Sequence, residues 1–147
     1  MSVSPIPKGF HTVTPYLVVS DVAKMVAFVK AAFGAETTES VPGPDGVVRH
    51  AKVRIGDSMV MMGQAFGETK ASPATIYLYV PDSDAVYAKA VAAGGIPIMP
   101  PATQFYGDRS GAVKDPCGNG WWIATHVEDV APDELARRAA QAYATKK

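Results

Sequence analysis

The chain has 147 residues, 48% of them hydrophobic, and fourteen basic against fourteen acidic side chains leave it with no net charge. That is enough material for one good core, whereas two half-length pieces would each be marginal alone. Scattered, balanced charge excludes the electrostatic signature of a nucleic-acid or anionic-membrane binder, no apolar run approaches the roughly 18 residues that cross a bilayer, and the expected partner is a small molecule or a protein.

Strand formers run from Thr12 to Val19, and Ser20-Asp21 then offers a helix N-cap ahead of Val22, Met25, Val26, Val29 and Phe33, which recur at helical spacing. Gly34 is the expected stop. Ala35–Val41 reads as a short strand, residues 42–46 (PGPDG) as turn chemistry, and Val47–Ile55 and Ser58–Met62 as strands joined by Gly56-Asp57. The unit is therefore β-α-β-β-β. After a polar linker over Gly67–Ala74 the plan recurs: a strand at 75–80, a helix opening near Asp82 and Asp84 and ending at Gly94-Gly95, then strands around 96–99, 110–114 and 120–126. Pro97, Pro100 and Pro101 cannot donate to a ladder, so their strand is expected at an edge. Asp115-Pro-Cys-Gly118 is the turn into the last strand, and Pro132–Thr145 is expected to form a surface helix with acidic residues at its start and basic ones at its end. The single cysteine, Cys117, excludes an internal disulfide, and the opening MSVSP lacks a basic-then-apolar secretion signal, so a cytoplasmic location is expected.

The duplication is visible residue by residue. Displaced by 61 positions, Thr14–Asp21 (TPYLVVSD) lies over Thr75–Asp82 (TIYLYVPD), and residues 14–34 share nine identities with their counterparts where composition would supply about one or two. The expected organisation is one domain over residues 1–130, built from units 12–63 and 74–127, followed by a helical tail at 131–147.

A duplicated β-α-β-β-β unit with HTVTPY at 11–16, HAKVRIGD at 50–57 and YGDRSGAVKDPCGNGWWIATHVED at 106–129 resembles the vicinal oxygen chelate superfamily of glyoxalases, bleomycin-resistance proteins and dioxygenases, and within it the PhnB-like branch. The resemblance covers roughly residues 10–130. It implies an α+β fold in which the two units form a curled, mostly antiparallel eight-stranded sheet around a cleft, with helices on the outer face and often a homodimer. In metal-dependent members four ligands line the cleft, one on the first and one on the last strand of each unit; by motif these positions fall at Thr14, Met61, Thr75 and Trp122, each pair again 61 apart. Two hydroxyls, a thioether and an indole do not make a site for a hard or borderline cation, and Met61 suits only soft metals. The usual metal site is read as vacated, with no cofactor expected.

Strand alternation places Tyr16 and Val18 beside Thr14 on the cleft side, with Tyr77 and Tyr79, Met59 and Met61, and Trp122, Ala124 and His126 following by the same count. The expected ligand-binding set is Tyr16, His50, Met59, Met61, Tyr77, Tyr79, Phe105, Tyr106, Arg109 and Trp122. Such an aromatic and thioether lining grips a planar or apolar compound by stacking and sulfur–π contact. The competing reading is a cleft closed by its own side chains. His50, the candidate catalytic residue, is either a general base, one ligand of a non-standard metal site, or a hydrogen-bonded structural histidine, and Lys52 two residues on deprives it of an acidic neighbour there. His126 is expected to tie down the C-terminal segment. Arg109 either clamps a substrate anion or pairs with Asp108 or Asp115 to shape its loop.

Three functions follow: a metal-independent small-molecule binder acting as a homodimer; an enzyme of the glyoxalase or dioxygenase type with an irregular metal site around His50; and a non-catalytic interaction module with a filled cleft.

Overall fold

The computed structural model describes residues 2–144. Eleven elements follow in order: β1 (Tyr16–Val19), α1 (Val22–Phe33), β2 (Glu36–Pro42), β3 (Val48–Ile55), β4 (Ser58–Gln64), β5 (Thr75–Tyr79), α2 (Ser83–Ala92), β6 (Ile96–Thr103), β7 (Asp108–Lys114), β8 (Gly120–His126) and α3 (Pro132–Ala144). Thr145 and the basic residues after it, expected to close the last helix, lie outside the described residues.

The helices α1 and α2 begin by the same device. Asp21 accepts a hydrogen bond from the Lys24 amide at 3.0 Å, and Asp82, 61 positions on, accepts one from the Ala85 amide at 3.1 Å. Each satisfies a donor that has no partner within its helix. Gly34 ends α1 in the left-handed conformation, φ 67°, sending its N–H back to the Lys30 carbonyl. Val22, Met25, Val29 and Ala32 form the buried stripe of α1.

The strands form two four-stranded mixed sheets, β1-β4-β3-β2 and β5-β8-β7-β6, in which β1–β4 and β5–β8 are parallel and the other pairs antiparallel. The expected single eight-stranded sheet is therefore corrected to two, while the pairing is mostly antiparallel as expected, four pairs of six: only the strand that leads into each crossover helix pairs in parallel, and no ladder joins β1 or β4 to β5 or β8. Tyr16 pairs with Met61 and Tyr77 with Trp122, so the 61-residue offset holds across these strands. It slips to 60 one strand further on, because Lys52 pairs with Met61 whereas Ala112 pairs with Trp122. The extra residue belongs to the longer Asp115–Asn119 turn, and it makes Ser110 the counterpart of His50. The proline-containing β6 is an edge strand with two register shifts, as its sequence requires.

The helices do not coat an outer surface. Each of α1 and α2 covers its own sheet and the two also pack on each other, so one hydrophobic cluster runs from Leu17 and Met62 through Val22, Met25 and Val29 to Val113, Trp121 and Ile123. Phe33 of α1 meets the Trp121 ring of β8 with centroids 4.9 Å apart. The faces of both sheets that turn away from the helices are left facing outward. Alternation behaves as the sequence predicts: Leu17 and Val19 are buried against the helices while Tyr16 is 52% exposed on the other side.

Candidate functional site

On the outward face of the first sheet, Tyr16, Met61, Lys52 and Glu39 lie in one rung, and Val18, Gly63, His50 and Val41 in the next. The Tyr16 ring stacks on His50 with centroids 5.9 Å apart and lies over Gly63, where any Cβ would strike its hydroxyl. His50 is not without an acid: Glu39, from β2, places Oε2 4.0 Å from its Nε2 and 3.3 Å from the Lys52 ammonium. Sequence neighbours could not show this, because the carboxylate comes from across the ladder.

The second sheet carries the denser arrangement. Asp108, 3% exposed at the start of β7, accepts hydrogen bonds on one carboxylate oxygen from Tyr77 Oη at 2.7 Å and Tyr79 Oη at 2.9 Å. Its other oxygen meets His126 Nδ1 at 2.9 Å, and His126 Nε2 reaches Asp129 at 2.7 Å. Tyr106 stands edge-on to Phe105, their centroids 5.3 Å apart. Burial works to raise the Asp108 carboxyl, but the hydrogen bonds from His126, Tyr77 and Tyr79 outweigh it and hold the group below the usual carboxylate value. Bonds to Asp108 and then Asp129 raise His126, while burial, with the neighbouring Tyr106 and the bond to Asp108, raises the Tyr77 phenol, so it serves as a donor and not as a base.

Trp122 neighbours Tyr77 across the β5–β8 ladder, and its ring lies over Gly120. Arg109 points to the opposite side: its guanidinium forms a two-pronged pair with Asp84 of α2 at 2.8 and 2.9 Å, which corrects the expected pairing with Asp108 or Asp115. Asp115 instead organises its own turn, accepting from the amides of Cys117 and Asn119, from the Asn119 side chain and from Trp121 Nε1. Met59 is 7% exposed behind Arg54. The structure thus gathers Tyr16, His50 and Met61 on one sheet and Tyr77, Tyr79, Tyr106 and Trp122 on the other, and within one chain no strand pairing joins the two groups.

The four positions that the resemblance assigns to metal ligands are not gathered on one sheet. Met61 belongs to the first sheet and Thr75 and Trp122 to the second, but Thr14, expected on the first strand, lies two residues before β1, its hydroxyl donating to the His11 carbonyl at 3.2 Å. Hydroxyl, thioether and indole do not fit a hard cation. Among the described residues no group of three His, Cys, Asp or Glu side chains is placed to hold a metal ion.

Sequence reasoning treated Asp108 only as a partner for Arg109. The signal was present: Asp108 and Ser110 alternate with Arg109, and a β7 register against β8 puts Asp108 opposite His126. A cavity of about 830 Å³ opens between the units, where the end of α1, the Gly56-Asp57 turn and the free edge of β5 meet, with Tyr77 and Tyr79 among its lining residues. Its walls are mainly apolar, with Lys30, Asp57 and Lys89 the charged residues there, and the hydrogen-bonding chemistry is concentrated instead on the outward face around Asp108.

Known proteins agree with this architecture. The chain is 37% identical over 133 residues to uncharacterized proteins of Mycobacterium bovis and Mycobacterium tuberculosis strain H37Rv, covering 83% of this chain and 88% and 78% of theirs. The crystal structure of TioX from Micromonospora sp. ML1 superposes with a TM-score of 0.68 at 23% identity, over 80% of this chain and 99% of that one. An Arabidopsis thaliana gene product does so with a TM-score of 0.61 at 27% identity, over 81% and 99%. Residues 9–123 match the Glyoxalase/Bleomycin resistance protein/Dioxygenase superfamily, and the chain belongs to that family.

Proposed function

We propose that this protein binds a planar or apolar small molecule without the metal used by the family's enzymes, in a cleft that a second copy completes. The observation that carries the reading is the side-chain chemistry at Thr14, Met61, Thr75 and Trp122, which suits stacking and thioether contact rather than metal ligation. The outward faces support it, with Tyr16 52%, Tyr77 40% and Tyr79 65% exposed on two sheets that no ladder joins within the chain. Aromatic faces of this kind suit a partner surface or a ligand. A homodimer that opposes the first sheet of one copy to the second sheet of the other would enclose both groups. Light scattering on the purified protein is expected to give a mass twice the 15.5 kDa of the chain; a monomer at tens of micromolar would remove the shared cleft.

A second reading is favoured by His50 and Glu39, an imidazole and a carboxylate 4.0 Å apart, which would seed an irregular metal site for a glyoxalase-like or dioxygenase-like reaction. Elemental mass spectrometry separates the two after incubation with Mn, Fe, Co, Ni and Zn and desalting. Substoichiometric metal together with quenching of tryptophan fluorescence by planar aromatics is the expected result. Near-stoichiometric metal that is lost in His50→Ala would overturn it in favour of the enzyme.

A further inference from the structure

The planar-compound reading leaves the ligand's charge open, and the second sheet supplies it. Tyr77 and Tyr79 lie with ring centroids 5.3 Å apart and planes 55° from parallel, and Trp122 stands beside Tyr77 across the ladder. Both tyrosine hydroxyls donate to the same oxygen of the buried Asp108 carboxylate. A phenol that donates to an anion carries more electron density in its ring, and ring faces attract cations. Neither oxygen of Asp108 lacks a partner, so the carboxylate acts on a ligand through its field, which is strong where water is excluded.

The charges on this face are few. β5, β6 and β8 contribute none except His126, Arg109 turns to the helix side to meet Asp84, and Lys114 sits at the far end of β7. With Asp108 and Asp129 flanking His126, the cluster stays acidic in either state of the imidazole. A second observation points to the same spot. Ser110, fully buried in the rung between the Tyr77–Trp122 rung and Asp108, has its hydroxyl without a partner among the described residues. Ser110 shares the Tyr79–Ala124 rung, so its unmet hydroxyl belongs to the same face as the two tyrosines.

We propose that the face around Asp108 binds planar organic cations, an aromatic ring bearing a positively charged nitrogen held over Tyr77 and Tyr79; this rests on the small-molecule reading above. The test uses three flat compounds that share a two-ring aromatic frame and differ in charge at pH 8: N-methylquinolinium, quinoline and 2-naphthoate, titrated by calorimetry into the intact protein. The cation is expected to bind at least tenfold more tightly than quinoline, and naphthoate more weakly than either. Asp108→Asn should cut the cation's advantage over quinoline to within about threefold. Asp129→Asn, at an exposed position that poses no folding risk, should reduce it partially, and Tyr79→Leu should weaken all three ligands together. Quinoline binding as tightly as N-methylquinolinium, or the anion binding best, would sink the cation proposal and leave the small-molecule reading intact. No binding by any of the three would remove both.

Discussion

At the scale of single residues, buried acids do different work at the two ends of β7. Asp115, 2% exposed, accepts four hydrogen bonds that lock the turn and fix the Trp121 ring. Replacing it by Ala strands these donors, and a loss of about 3 kcal/mol in urea unfolding is expected. Asp108 couples instead to pH. The imidazole of His126 is raised by Asp108 and Asp129 above its ordinary 6.5, so its contribution to stability is fully present below about pH 6.5 and is lost as pH rises through the raised value. The Asp108 carboxyl is lowered, so its contribution is present above its ordinary 3.8 and disappears as pH falls through the lower folded value. NMR should place the His126 midpoint above 6.5 and return it toward 6.5 in Asp108→Asn; a midpoint indifferent to Asp108 would break the coupling. Gly107 shows what a close approach demands: its φ is +101° and a Cβ there would collide with the Glu128 carbonyl, whose segment carries Asp129 to His126.

Among the elements, the two capped helices are repeats in chemistry as well as in sequence. Asp82→Ala removes the acceptor for the Ala85 amide and is expected to lower stability by about 1 kcal/mol, as is Asp21→Ala, measured by thermal or urea unfolding. Effects that differ several-fold between the two would mean that the units do not share their stability. The last helix, α3, has no buried residue among those described, yet Arg138, paired with Glu134 of the same helix, ties it to Glu128 and the Phe105 carbonyl. That contact braces the loop carrying Phe105 and Tyr106. A chain ending at residue 131 should stay folded, with a melting point within a few degrees, but bind planar ligands less tightly because Tyr106 loses its support. A collapse of the melting point would show that α3 belongs to the core.

For the whole molecule, the decisive contact is Phe33 against Trp121, one residue from each unit. Phe33→Ala opens a cavity between them, with an expected cost of about 3 kcal/mol. Tryptophan fluorescence and helix circular dichroism should still report one transition at the same denaturant concentration. Two separated transitions would mean that the units fold independently, against the shared core.

Secondary structure and the duplication were legible because they depend on local chemistry: caps at Asp21 and Asp82, the stop at Gly34, prolines that confine β6 to an edge, and side-chain alternation that separates Leu17 from Tyr16. The family was legible for the same reason, since its motifs lie in contiguous segments. Three things were decided only by tertiary structure. The strands divide into two sheets rather than one because pairing between units depends on long-range geometry that no local pattern encodes. Glu39 reaches His50, and Arg109 turns to Asp84, because partners across a ladder or on a helix are set by register and packing. The register of β7 slipped by one because a longer turn preceded β8, which put Ser110 in the place of His50 and brought Asp108 beneath two tyrosines and opposite His126.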